Sequence, residues 1–420
     1  MSNLSRQFGL FARPARFFRI SVCALALGSA AALFAQSAFA QSASAQSAPL
    51  PQAHTSRRAQ LSRPFPLTSF YDTAAPLPAG KPGQLIRSGR FEDYVLSPGV
   101  LAVRILYYSR SGTGETVASS GVVLFPEGNA PAGGWPVIAW AHELNDVARP
   151  CAPSLAQNLV HGPFLAMYVK LGYAIVATDY AGLGTNFRNA FADVRANAFN
   201  VIDSIPAARQ AVPGLGARWI AMGTAEGGAA AIGVAELGRE MRDPNFLGSI
   251  AISRIMDAEG ILTPRPDQSH ELPLLLAYGI KTIDTQFEPK DMLTDEALPL
   301  YEQVGQSCGI ADAAKIPIAA MLKLHWDSNR FVEDYFKRNR LGTSPAAVPI
   351  LVISSEGELS LFTTTEVVRR LCKQGDRVLF NRYAEYNPGS VIGDSVRDQM
   401  AWIQDRFAGR AARSNCTTPP

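Results

Sequence analysis

Residues 219–237, WIAMGTAEGGAAAIGVAEL, run a short apolar strand through a glycine and a tight turn into an alanine-rich helix. A junction of this kind lifts one side chain clear at the end of a sheet, with the first N–H groups of the helix beside it. With a serine at its tip and an imidazole in reach, it would carry a nucleophile. Here the tip is Ala225, a methyl group. Gly223 and Gly227 match the strained turn, because a larger residue at either place would meet neighbouring backbone. Thr224 has a hydroxyl, but side chains next to the tip point away from it, and without a base the hydroxyl is a poor nucleophile. Glu226 can still offer its backbone N–H as half of an oxyanion hole. Its carboxylate suits the first turn of a helix.

Of the five histidines, His142 and His161 are the better placed. His142 ends the apolar run WPVIAWAH, at a loop able to supply the second oxyanion donor. We read it as a residue that shapes this loop, with a relocated base as the alternative. Glu143 follows it and puts a carboxylate where it would oppose a developing oxyanion. His54 lies in the N-terminal lead-in, and His270 and His325 lie in a later insertion. No two histidines fall at metal-ligand spacing, so neither a metal nor a cofactor is expected.

The elements that must position these groups read as β-rich runs: LAVRILYYSR, TVASSGVVLFP, WPVIAWAH, YAIVATDY, RWIAMG, LGSIAIS, VPILVISS and RVLFNRYAEY. Several are continuous apolar runs, as strands covered on both faces require. Helical segments such as SLAQNLVHGPFLAMYVKL and EGGAAAIGVAELGREM separate the later ones. The alternation predicts an α/β fold, a mostly parallel central sheet flanked by helices. Residues 255–344 break it with PLLLAYGI, LPLYEQVG and IPIAAMLKLHW, which read as a helical cap over the C-terminal edge of the sheet, where open α/β sheets bind ligands. The core is expected over 65–254 and 345–412, with a flexible lead-in at 41–64 and a tail at 413–420.

Residues 1–40 read as an export signal: Arg6, Arg13, Arg16 and Arg19 precede an apolar run that ends in SAFA, with cleavage expected after Ala40. The run is too short to span a bilayer comfortably, which needs ~20 apolar residues, so no stable membrane anchor is expected. Those four arginines and the absence of acids account for the basic balance: without them the formal charge falls from +3 to −1. A nearly neutral mature chain has no basic stripe for a nucleic acid. Of the five cysteines, Cys23 leaves with the signal; Cys151, Cys308, Cys372 and Cys416 form an even set for an oxidising compartment, with three connectivities open. The location implied is secreted or periplasmic.

Several stretches together resemble the secreted lipase family of the lipase A type, within the α/β-hydrolase fold: FYDTAAPLPAGKPGQLIRS, AHELNDVARPCAPS, ATDYAGLGT, GTAEGG, LYEQVGQSC, RRLCKQG and AWIQDRFAG. The resemblance spans nearly all of the mature chain. It implies a serine on the elbow, a carboxylate after the strand ILVISS, and a histidine near the chain end, acting on lipids or other carboxylic esters. Ala225 stands at the serine position. The acid position falls on Glu358, with Glu356 as second choice. The base position, within YAEYNPGSV, falls on Pro388. A serine-to-alanine change alone could be a trapping substitution, but a proline in place of the base serves no such purpose, so both read as native. The resemblance also implies disulfides Cys151–Cys308 and Cys372–Cys416, and a rigid loop at Asp179.

The expectation is an exported pseudoenzyme that binds an acyl, lipid or other apolar ligand, with a protein partner as a further occupant. The competing expectation is a weak or altered carboxylic-ester hydrolase using water, with His142 or Glu358 as base.

Overall fold

The computed structural model describes residues 64–257, 260, 262, 269–358, 360–384 and 391–417. Pro388, the expected signal and all of the lead-in up to residue 63 lie outside the described residues.

Among the described residues, nine strands form one sheet: β1 (Leu85–Arg90), β2 (Val100–Arg110), β3 (Thr116–Pro126), β4 (Trp135–Ala141), β5 (Ala174–Thr178), β6 (Leu215–Thr224), β7 (Phe246–Ile252), β8 (Ile350–Ser355) and β9 (Val378–Tyr383). Their order across the sheet is β1-β2-β3-β5-β4-β6-β7-β8-β9. Pairing is antiparallel from β1 to β5 and parallel from β5 through β9. The parallel strands are buried along most of their length because helices cover both faces. Alternation within β4 divides them: Val137, Ala139 and Ala141 enter one core and Ile138 and Trp140 the other.

The helices are α1 (Gly162–Lys170), α2 (Val194–Ala211), α3 (Glu226–Met241), α4 (Leu272–Ile283), α5 (Leu298–Tyr301), α6 (Ile318–Met321), α7 (Arg330–Arg338), α8 (Leu361–Lys373), α9 (Val391–Asp394) and α10 (Val396–Phe407). The helix expected over SLAQNLVHGPFLAMYVKL is only its second half. Leu159 and Val160 have φ of 52° and 62°, and an α-helix does not pass through left-handed residues. The chain turns there and starts α1 afresh at Gly162.

Between β7 and β8 the chain leaves the sheet for α4 to α7. This stretch has its own apolar core, centred on Leu274, Leu276, Phe287, Met292, Leu293 and Val332. Of its expected helices, α4 is full, whereas α5 and α6 are single turns of four residues. Prolines punctuate both, with Pro299 just inside α5 and Pro317 just before α6. The stretch is bolted to the sheet-bearing part. Arg338 Nε lies 3.1 Å from Asp193 Oδ2, Val194 N–H donates to Asn339 Oδ1 at 2.9 Å, and the Tyr335 hydroxyl donates to the Phe191 carbonyl. The Cys151–Cys308 disulfide adds a covalent tie, and Cys372–Cys416 joins α8 to the C-terminal tail. Each such bond contributes roughly 2–4 kcal/mol by restricting the unfolded chain.

Candidate functional site

Chain direction sets where the site falls. From β4 the chain moves to β5 on one side, and from β6 it moves to β7 on the other, so the connections leaving the neighbouring strands β4 and β6 diverge. The crevice beyond the carboxyl ends of β4 and β6 is the switch point at which open α/β sheets hold ligands. His142 and Glu143 follow β4, and Ala225 follows β6.

The turn at Ala225 is fully built. Its φ and ψ are 51° and −112°, a combination that glycine adopts freely and other residues adopt at a cost of order 1–3 kcal/mol. The surroundings impose it: Ala225 N–H points to the carbonyls of Ile252 (3.2 Å) and Ser253 (3.1 Å), and its own carbonyl accepts from Ala229 N–H at 3.1 Å. Between Trp219 and Ala235 every residue is buried except Ala225, so the tip alone reaches open space. The strain and exposure suited to a nucleophile are present at a residue whose side chain is a methyl group.

Glu226, the first residue of α3, is buried, and its Oε1 accepts from Ala192 N–H and Asn197 Nδ2, both at 2.9 Å. The carboxylate therefore turns inward, away from solvent, instead of sitting exposed at the helix end. Burial pushes its pKa up, opposed by those two hydrogen bonds. Asp179 is treated similarly: Ser154 N–H (2.8 Å), Ser154 Oγ (2.5 Å) and Ser120 Oγ (2.6 Å) donate to it, while burial again raises its pKa. Those bonds join the Asp179 carboxylate to Ser120 in β3 and to Ser154.

His142 is buried with its ring 4.2 Å from that of Tyr180. Nδ1 lies 2.6 Å from the Glu143 carbonyl and Nε2 3.1 Å from the Asp179 carbonyl. Both nitrogens are thus set against backbone oxygens, which leaves no lone pair aimed at a reacting group. Glu143 pairs with His161, Oε1 to Nε2 at 3.4 Å, and the His161 ring stands edge-on to Trp140. His161 is the residue just before α1.

Glu358 is buried, with Ser253 Oγ donating to Oε1, and Ser354 Oγ (2.7 Å) and Arg254 N–H (3.1 Å) donating to Oε2. Glu356, two residues earlier, is exposed. Glu358 therefore ties the ends of β7 and β8 together beside the elbow, because Ser253 also accepts from Ala225 N–H. Sequence reasoning missed Ser253, Tyr180 and Asn197. Ser253 ends an apolar strand as many structural serines do, and nothing in its spacing marks it. His270 and His325 lie in the stretch between β7 and β8 and do not join the group. Among the described residues, no three histidine, cysteine or acidic groups could hold a metal ion.

No protein-family model and no curated protein matches the chain in sequence. Solved structures do match in shape. Candida antarctica lipase A in its closed state superposes with a TM-score of 0.72 at 15% identity, covering 85% of this chain and 90% of that one. The rice cell wall degrading esterase LipA of Xanthomonas oryzae gives 0.64 at 15% identity, covering 79% of this chain and 100% of that one. At such identities the likeness is one of fold. Strand order, the elbow at Ala225 and these superpositions agree: the chain is built on the α/β-hydrolase fold that carries that lipase and that esterase.

Proposed function

We propose that the protein is an exported member of the lipase and esterase lineage that holds an acyl chain or other apolar ligand between sheet and cap, without ordinary ester turnover. The observation that carries this reading is Ala225. A strained elbow is preserved with no nucleophile on it. Losing the nucleophile or the base of such a triad costs about a million-fold in turnover, or roughly 8 kcal/mol, because the members act as a unit. Binding needs none of that machinery, only the crevice and its cover.

The engaged state of the remaining candidates supports the same reading over a displaced mechanism. His142 has carbonyls at both nitrogens, and Glu358 accepts from three donors, so neither is poised to take a proton from water. Two disulfides fit an oxidising compartment. The test is p-nitrophenyl ester turnover by the natural chain beside an Ala225→Ser, Pro388→His variant. Activity confined to the variant is the expected outcome; comparable activity in the natural chain sinks the proposal. Labelling of the natural chain by a fluorophosphonate probe would favour the hydrolase reading instead.

A further inference from the structure

The far edge of the sheet, away from the crevice, is formed by β9. β9 is the last strand in the order, so among the described residues one side of its backbone has no strand partner. Arg377 and Tyr383 direct their carbonyls inward, to the N–H groups of Ile350 and Glu356 at 3.0 and 2.8 Å. Alternation then turns the backbone groups of Val378, Phe380 and Arg382 outward.

The tail covers the first part of that row, at Val378 and Phe380. Asn415 N–H donates to the Val378 carbonyl at 3.1 Å. The Asn415 side chain meets Phe380 twice, accepting its N–H at 2.9 Å and donating to its carbonyl at 2.8 Å. One amide side chain thus reproduces the two bonds that a neighbouring strand would make. Arg377 adds a contact to the Ala412 carbonyl at 3.4 Å. Asn415 itself is exposed, and the next residue, Cys416, is bonded to Cys372 in α8. That bond ties an otherwise largely exposed segment to the body of the protein.

We propose that the tail is a releasable guard on β9, and that its release lets β9 pair antiparallel with β9 of a second copy of this chain. Exposed strand edges pair readily, and natural proteins cover them for that reason. The strand is suited to self-pairing: a two-fold axis at Phe380 places Val378 opposite the second copy's Arg382, so the arginines do not face each other. Release follows reduction by a dithiol. The Cys372–Cys416 bond breaks, two thiols form, and the dithiol is oxidised to its disulfide, with two electrons and two protons transferred.

Reduction in bulk would also open Cys151–Cys308, so the test uses Cys372→Ser, Cys416→Ser in the full chain, and separately Asn415→Ala with the disulfide intact. Light scattering after size exclusion reads the mass, and amide exchange reads β9. The double variant is expected to shift with concentration toward twice the wild-type mass, with exchange at Phe380 and Arg382 slowed at least about ten-fold in the larger species. Asn415→Ala is expected to show the same shift at higher concentration. A folded double variant that keeps the wild-type mass at every concentration overturns the proposal, as does a larger species whose β9 amides exchange no more slowly than in wild type. If the double variant does not fold, Asn415→Ala decides: unchanged mass with unchanged exchange at Phe380 overturns it.

Discussion

A Cβ on Gly223 would lie 2.2 Å from the carbonyl oxygen of Gly227, so the two glycines close the elbow at the limit of backbone contact. On the other side, a Cβ on Gly227 would come within 2.0 Å of the Ala141 carbonyl. The obstacle is backbone in both cases and has little room to move. Gly227→Ala is therefore expected to cost at least about 3 kcal/mol. Ala225→Gly should act oppositely. It relieves a conformation worth about 1–3 kcal/mol and returns about 0.4–1 kcal/mol through the freer unfolded chain, for a net gain of about 1 kcal/mol. Urea titration with an unchanged m-value checks both.

Glu236, nearly three turns along α3 from Glu226, collects the N–H groups of Gly342, Thr343 and Ser344 on Oε1 at 2.9, 3.0 and 3.2 Å, where the chain returns toward β8. Burial raises its pKa to about 7 in spite of those bonds. Because the folded value lies above the unfolded one, the folded state holds the proton more tightly. That contribution is complete below about pH 4 and is lost as the pH climbs to about 7. Glu236→Gln is expected to flatten this part of the stability profile and to gain up to about 3 kcal/mol over wild type at pH 8, with little difference near pH 4. Asp376, which lies close enough to affect Glu236, is unchanged in the variant and cancels in the comparison.

The sheet was legible where its strands are continuous apolar runs, and α3 where alanine repeats follow the elbow, with bounds matching the stretch EGGAAAIGVAELGREM. Two elements were not. Among the described residues β1 pairs on one side only, and none of its residues is buried, so it lacks the apolar signature. α2 hides its periodicity because it buries polar residues, with Asn197, Asn200 and Asp203 all inside and Pro206 in its middle. Those side chains make bonds to residues far along the chain, Glu226, Ser109 and Arg110 among them, which no local pattern announces. At the site, Ala225 was readable from its glycine frame. The engagement of Glu358 by Ser253 was not, because it depends on two strand ends meeting in space.

Asp193 is the point at which the stretch between β7 and β8 is most exposed to disruption. It is fully buried, caps α2 through Ala196 N–H at 2.7 Å, and has Arg338 as its ion-pair partner. Burial raises its pKa, and the guanidinium opposes that. Removing the arginine leaves a carboxylate without its counter-charge, so Arg338→Ala is expected to cost about 3 kcal/mol. Asp193→Asn keeps an acceptor for the cap and removes the charge, and should cost less than half as much. Calorimetric melting of both variants ranks them, and an equal loss would contradict the charge argument.

Repair of the elbow should be strongly non-additive. Ala225→Ser places a hydroxyl on a tip that already has the required strain and exposure, but with no imidazole to accept its proton the gain alone is expected to be at most about ten-fold over background. With Pro388 at the base position, as the proposed function has it, Pro388→His alone supplies a base with nothing to activate. Together they complete the chemistry only if Glu358 can orient the new imidazole, and at present its oxygens are engaged by Ser253, Ser354 and Arg254. Ser253→Ala frees Oε1, so adding it to the pair should raise kcat further with little change in KM, since under the proposed function Ser253 orients the carboxylate and does not touch the acyl chain. Steady-state kinetics on a short-chain p-nitrophenyl ester distinguish the cases: a triple variant no faster than the double would mean that Glu358 is not the orienting acid, and that its hydrogen bonds serve only to join β7 to β8.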